Sequence, residues 1–335
     1  MKNVVLGSEE TFTGKKTLVT GGAGFIGSNL AAQLIELGAS VTVVDNLDPE
    51  TGANLFNLAN IREQIEWIEA DIQDEKAMRT ALIGQDYLFD LAGLSSHVGS
   101  TQAPLRDLEA NTFSHLKLLE YCRRINPYVH IVYAGTRQVY GRVQRLPANE
   151  EQLPSPVDQN GVSKLAAEHY HLLYHNLYGL WTSSLRMTNV YGPHMRIKDD
   201  HKNFLGWWIR LLLEGKNLPI YGDGLQTRDL NYVDDVITAL LYAVTNPIAQ
   251  GQLYNLGAEP VSLLELARLL IDLNGSGNFE LVPFPENRLR IEIGHYAGDY
   301  TKIRTQLGWE PAVALTDGLQ KTLAFYRQFG AHYGN

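Results

Sequence analysis

The chain has 335 residues, a formal net charge of −9, 44% hydrophobic and 19% charged residues. That length holds one large domain or two intimate ones, and the composition is ordinary for a globular protein. The acidic balance argues against a nucleic-acid partner, which would call for a basic face, and no run approaches the ~18 consecutive apolar residues of a membrane span.

The opening "MKNVVLGSEETFTG" has no long apolar core followed by a cleavage site, and is expected to be a short extension before the first strand. The stretch "KKTLVTGGAGFIGSNLAAQLIELGASVTVVDNLD" then reads as strand, glycine turn, helix and strand. "TLVT" is short, apolar and β-branched, as a buried parallel strand should be. Gly21, Gly24 and Gly27 follow at G-x-x-G-x-x-G spacing. Glycines there let the chain turn tightly, let backbone approach a pyrophosphate and let the helix pack on the strand. Phe25, Ile26, Leu30, Leu34 and Leu37 recur at helical spacing. The start of that helix therefore faces the phosphates with its dipole and free N–H groups. Asp45 closes the second strand, where a carboxylate accepts both ribose hydroxyls of NAD and repels the 2′-phosphate of NADP. The pattern predicts NAD as cofactor.

The alternation continues. "IEWIEADI" is predicted as a third strand ending at Asp71, "YLFDLAG" as a fourth and "HIVYAGT" as a fifth, and "TSSLRM" opens a sixth. "LEANTFSHLKLLEYCRRI" and "SKLAAEHYHLLYHNLYG" are predicted helices. The single cysteine, Cys122, lies in the first of these, so no disulfide framework forms within one chain. A buried structural thiol and a reducing, cytoplasmic location are expected. The order of elements predicts an α/β fold with a doubly wound parallel sheet, whose ligands bind at the carboxyl ends of the strands.

These motifs, with "LAG", "VYG", "RMTNVYGP", "YGDGLQTRDLNYVDD", "YNLG" and "LGWEP", resemble the extended short-chain dehydrogenase/reductase family, and within it the nucleotide-sugar epimerases and dehydratases. The resemblance runs from about Thr17 to Pro311. It implies a Rossmann domain (14–188 and 229–258) and a smaller C-terminal α/β substrate domain (189–228 and 259–330), with NAD and a nucleotide-diphosphate sugar meeting between them. Gly21, Gly24, Phe25, Ile26 and Gly27 would wrap the pyrophosphate. Asp45 and Asn46 would hold the adenosine ribose, and Asp71 and Ile72 would contact adenine. Leu91, Ala92, Gly93 and Asn111 would pass beside the cofactor, with Lys164 on the nicotinamide ribose. Asn189 and Arg228 match positions that contact the diphosphate, and Arg288 and Arg290 are equal candidates for a further phosphate contact. Guanidinium groups bind such oxygens bidentately, and an acidic protein binding an anionic sugar nucleotide needs arginines placed locally. The alternative for Arg228 is a surface ion pair with Asp229. The resemblance also implies a homodimer built on residues 103–125 and 160–179.

The catalytic positions depart from the family's pattern. Thr136 stands three residues before "VYG", where its hydroxyl would bond a substrate hydroxyl or the ketone formed from it. Arg137 and Gln138 occupy two positions where many 4,6-dehydratases carry an Asp-Glu pair. Asn160 stands four residues before Lys164, where the family places its catalytic Tyr. A phenol whose pKa is lowered from ~10 can take a proton, whereas an amide cannot. His97, after the fourth strand, is a candidate replacement because imidazole titrates near neutrality, an exposed loop histidine or one binding phosphate being the alternative, and Thr136 acting through water is the other candidate. Asp158 reads as a helix-start residue, and the Tyr140 role implied by the family is mainly structural. The leading expectation is an NAD-dependent nucleotide-sugar epimerase working by transient oxidation of a sugar hydroxyl. A nucleotide-sugar dehydratase or related lyase is the alternative enzyme, and a catalytically silent NAD and nucleotide-sugar binding protein is the alternative from another class.

Overall fold

The alternating apolar runs become strands in the computed structural model, which describes residues 9–198 and 203–334. The expected N-terminal extension thus lies, through residue 8, outside the described residues. In chain order the strands are β1 (Lys16–Thr20), β2 (Ser40–Asp45), β3 (Ile65–Glu69), β4 (Tyr87–Asp90), β5 (His130–Thr136), β6 (Thr182–Met187), β7 (Asn189–Tyr191), β8 (Leu218–Tyr221), β9 (Thr227–Tyr232), β10 (Leu253–Asn255), β11 (Pro260–Ser262) and β12 (Phe279–Val282). The longer helices are α1 (Phe25–Glu36), α2 (Glu75–Leu82), α3 (Ser114–Ile125), α4 (Gln159–Tyr178), α5 (Phe204–Leu213), α6 (Val233–Thr245), α7 (Leu263–Asn274) and α8 (Leu315–Phe329).

Seven strands form one sheet in the order β3-β2-β1-β4-β5-β6-β10. Every pair in it is parallel. Strand order reverses between β1 and β4, and the register aligns Thr20 with Asp90 there, so the carboxyl ends open a crevice at that point. Side chains alternate across the sheet, and the sequence uses both faces. Val19, Val43, Phe89 and Val132 join one core with α1 and α6. Leu18, Val44, Leu88 and Ile131 join the other, with Met78 of α2, Leu118 of α3 and Tyr174 of α4. Cys122 is fully buried in that second core, where burial pushes its thiol far above the ordinary range. It is packing, not a nucleophile.

Beyond the sheet, β7, β9 and β11 form a three-stranded sheet, and β8 and β12 a two-stranded one. Trp208 of α5, Leu270 of α7 and Leu323 of α8 belong to the same continuous core as α1 and α6, which fixes these small sheets against the large one. The division expected at residue 228 falls inside β9. No helix among the described residues is long and apolar enough to cross a membrane.

Three expectations need correction. The third strand ends at Glu69 rather than Asp71, because Asp71 turns the chain by accepting from the Gln73 amide at 2.8 Å. The helix expected from residue 108 begins at Pro104 and passes through a π-helical turn, Glu109–Phe113, before α3. The helix expected from residue 163 begins at Gln159, because Asp158 caps it through Gly161 N at 2.7 Å.

Candidate functional site

A cleft of about 550 Å³ follows the carboxyl edge of the sheet. At one end the chain leaves β1 through Gly21, whose φ of +67° is the left-handed region glycine favours. A Cβ on Gly27 would stand 2.3 Å from the Gly21 carbonyl oxygen, so the start of α1 can lie against the turn only with glycine there. Gly24 caps α1 without a side-chain acceptor, leaving the first-turn N–H groups for an anion. Phe25 and Ile26 line the cleft beside them.

Asp45 reaches the cleft from the end of β2. It accepts from Ala23 N at 3.0 Å and Leu47 N at 2.8 Å, and burial raises its carboxyl above the ordinary value. Each oxygen keeps a lone pair for a ribose hydroxyl. Asn46 donates to Asp71 at 2.9 Å and so ties the end of β2 to the turn that carries Ile72. Leu91, Ala92 and Gly93 form the floor, and the first two donate to Thr20 Oγ1 at 3.2 and 3.4 Å.

The residues that pack behind Gly93 come from separate elements. The π turn presents Asn111 so that its Oδ1 accepts from Leu94 N at 2.9 Å. A Cβ on Gly93 would meet that oxygen at 2.6 Å and Lys164 Nζ at 3.5 Å. Asn111 itself stands behind the wall rather than in it. Lys164 lines the cleft, and burial lowers its pKa against the opposing pull of Asp107 and Asp90. Asn160 is 1% exposed. Its Nδ2 donates to Leu94 O at 2.9 Å and to Asp107 Oδ2 at 3.0 Å. Both partners are acceptors, which fixes the amide orientation and leaves the oxygen as the atom Asn160 can offer a ligand.

Farther along lie Thr136, which accepts from Gln138 N at 3.2 Å, and His97, at the start of the short helix His97–Gln102. His97 Nδ1 stands 3.0 Å from Asp158 Oδ2, an ion-pair contact whose alignment falls short of a hydrogen bond. Gln138 Nε2 donates to the same oxygen at 3.0 Å. Burial pushes the Asp158 carboxyl up, and His97 with these donors more than reverses it, leaving a net lowering.

A second cavity of about 190 Å³ shares His97, Arg137, Gln138, Asn189 and Asn203 with the first. Arg228 lines it, with Trp207, Tyr221 and Phe284 around it. The ion-pair partner of Arg228 is Glu292, at 2.7 Å, rather than Asp229. Arg288 lies on this wall, its guanidinium 5.5 Å from the Tyr221 ring centre, whereas Arg290 is exposed, pairs with Glu286 and lines neither cavity.

Sequence reasoning alone does not find Asp107. It is 1% exposed, receives Asn111 Nδ2 at 2.9 Å as well as Asn160, and leaves Oδ1 without a partner. Its i, i+4 spacing to Asn111 is the one signal that points to it. Asp90 is also absent from that reading. It holds Thr20 at 3.0 Å and His115 at 2.6 Å beneath the cleft, and the two histidines that face it, His115 and His171, outweigh burial and keep its carboxyl strongly acidic. Among the described residues no group of histidine, cysteine and carboxylate side chains could hold a metal ion.

The family model for the NAD dependent epimerase/dehydratase family matches residues 17–257. A CDP-paratose 2-epimerase of Salmonella typhi is 32% identical, with 91% of this chain and 97% of that protein covered. A UDP-glucose 4-epimerase of Mycolicibacterium smegmatis is 34% identical, with 93% and 98% covered. Among solved structures, a dTDP-glucose 4,6-dehydratase of Streptomyces venezuelae with NAD bound superposes with a TM-score of 0.86 at 28% identity, covering 94% of this chain and 98% of that one.

Proposed function

The chain belongs to the NAD-dependent epimerase/dehydratase family and takes NAD as its cofactor; from that premise we propose that it is a nucleotide-sugar epimerase whose proton-handling group is His97. The observation that carries the reading is the contact at 3.0 Å between His97, which lines both cavities, and the buried Asp158 carboxylate behind it. Bound NAD supplies a reversible acceptor for the hydride of a sugar carbinol. The protein's part is to hold the sugar, take up the hydroxyl proton and give it back.

With Nδ1 turned to Asp158, His97 has Nε2 left for the substrate hydroxyl. Asp158, behind the ring, orients it toward the substrate. Thr136 binds the substrate oxygen, and Asn160 offers its amide oxygen to a neighbouring hydroxyl. Lys164, on the side of α4 that also carries Asn160, would meet the nicotinamide ribose. Gly21, Gly24, Phe25, Ile26 and Gly27 would hold the pyrophosphate, Asp45 and Asn46 the ribose, and Asp71 and Ile72 the adenine. Asn189, Arg228 and Arg288 would hold the nucleotide diphosphate, and Trp207, Tyr221 and Phe284 give its base apolar walls.

An epimerase is favoured over a dehydratase because elimination needs a further acid and base beside the sugar. Arg137 and Gln138 follow Thr136 and fill neither role. A guanidinium stays charged, and the Gln138 amide is bound to Asp158. We also propose a homodimer in the cytoplasm. Leu105, Phe113, Val162 and Leu173, on the segments 103–125 and 160–179, are all at least 43% exposed and give those helices an apolar outer surface.

Incubation with NAD and a panel of UDP, dTDP and CDP sugars tests the proposal. A product of unchanged mass and altered ring stereochemistry is expected. Loss of water from the sugar would make the chain a dehydratase, and tight binding without any product would make it a binding protein.

A further inference from the structure

Arg137 is 8% exposed, yet its guanidinium has few partners. Nη2 donates to Asn189 Oδ1 at 2.8 Å, and the group stacks 4.7 Å from the centre of the Tyr296 ring. Nη1 has no hydrogen-bond partner, and no carboxylate of the described residues lies within ion-pair distance. Glu292 pairs with Arg228 at 2.7 Å. Asp229 receives Gly298 N on Oδ2 at 2.9 Å and keeps Oδ1 without a partner, so it acts on Arg137 as a nearby opposite charge but makes no ion pair or hydrogen bond with it. Burial, and then the like charge of Arg228, lower the Arg137 pKa to about 10, so it stays protonated at neutral pH. A buried guanidinium with unused donors is costly unless something else satisfies it.

The position of Arg137 limits what that partner is. It immediately follows Thr136, and it borders both the cleft and the second cavity. It is therefore placed at the junction where the sugar ring would lie, on the side away from the glycine turn. The diphosphate already has Arg228 and Arg288 on the aromatic wall. A neutral sugar offers hydroxyls, which satisfy a guanidinium poorly. A carboxylate matches its geometry with two parallel hydrogen bonds and its charge with a full opposite one.

Resting on the nucleotide-sugar reading above, we propose that the substrate is a nucleotide sugar acid and that Arg137 recognises the carboxylate on its sugar. Arg137 is then the residue that separates acidic from neutral sugars. Excluding neutral sugars follows from the same chemistry, because they leave the buried guanidinium unpaired.

The test is calorimetric. UDP, dTDP and CDP are titrated first, into the NAD-loaded protein. The glucose and glucuronic acid esters of whichever binds tightest are titrated next, with the galactose and galacturonic acid pair as a second comparison. The wild type is expected to bind an acid about 10–100-fold tighter than its neutral counterpart, the scale of one charge-assisted contact. Arg137→Gln should erase that preference while leaving affinity for the bare nucleoside diphosphate and for NAD unchanged, and Arg137→Lys should keep part of it. Equal wild-type affinity for acidic and neutral sugars overturns the proposal, whatever the variants do. So does an Arg137→Gln variant that loses affinity for the bare diphosphate as strongly as for the sugars, because Arg137 then serves the diphosphate. If none of the three nucleotides binds, the nucleotide-sugar reading fails and takes this one with it, a result distinct from binding without discrimination.

Discussion

His97 and Asp158 meet at 3.0 Å although they leave the chain in different elements, one at the start of a short helix after β4 and the other at the cap of α4. The carboxylate serves three partners at once. Oδ1 caps α4 through Gly161 N at 2.7 Å, and Oδ2 receives Gln138 Nε2 at 3.0 Å and faces the imidazole. A group already fixed by a cap orients another partner at little further entropic cost.

If this pair moves the substrate proton, His97→Asn should lower kcat by ~10²–10⁴-fold, the ordinary contribution of general acid–base catalysis. NAD affinity should be unchanged. Asp158→Asn should lower kcat less than His97→Asn does, because imidazole remains. An unaltered turnover in His97→Asn removes the pair from the mechanism.

Much of the glycine-turn end of the cleft was legible as structure because its signals are local. The run "HIVYAGT" coincides with β5, since alternation and β-branching act within a few residues. Gly21, Gly24 and Gly27 constrain a single turn, and Asp45 ends the next strand. At the other end of the cleft the sequence points to residues but not to their relations. Asn160 and Asp107 are 53 positions apart and meet only because α4 packs against the helix from Pro104. β10 is three residues long and gains its place by pairing with β6, so no periodicity announces it. The π turn at Asn111 likewise has no propensity of its own, being a local insertion that packing selects.

The proposed ribose contact of Asp45 predicts a cofactor preference. The wild type should bind NAD more tightly than NADP by calorimetry, because a buried carboxylate there would face the 2′-phosphate. Asp45→Ala should weaken NAD and reduce the discrimination. Tighter binding of NADP by the wild type contradicts the assignment of Asp45 to the ribose.

Arg228 tests the other end. Arg228→Ala should weaken nucleotide-sugar binding by roughly 1.5–3 kcal/mol, the scale of a hydrogen bond to a charged group. NAD affinity should stay near the wild-type value, since Arg228 lines the second cavity and not the larger cleft. If NAD binding collapses while the sugar nucleotide still binds, the assignment of the two cavities is reversed.

His194 gives the fold a pH dependence that is separate from catalysis. Its ring lies 2.9 Å from Ser28 Oγ through Nδ1 and 5.4 Å from the Phe325 ring centre, bridging α1 and α8. Burial lowers its pKa from 6.5 to about 4. Between those values the unfolded chain binds a proton that the folded chain does not. Stability from this group is therefore complete above about pH 6.5 and is lost as pH falls toward 4. The depression corresponds to a contribution on the order of 3 kcal/mol at most. Asn is the substitution to use, because His194 has a φ of +71° and Asn tolerates the left-handed region. Urea unfolding of wild type and His194→Asn at pH 7 and pH 5 should show the wild type losing more stability on acidification than the variant. Equal losses in the two proteins would mean that His194 carries no linked proton, and that the acid sensitivity of the fold lies with its carboxylates.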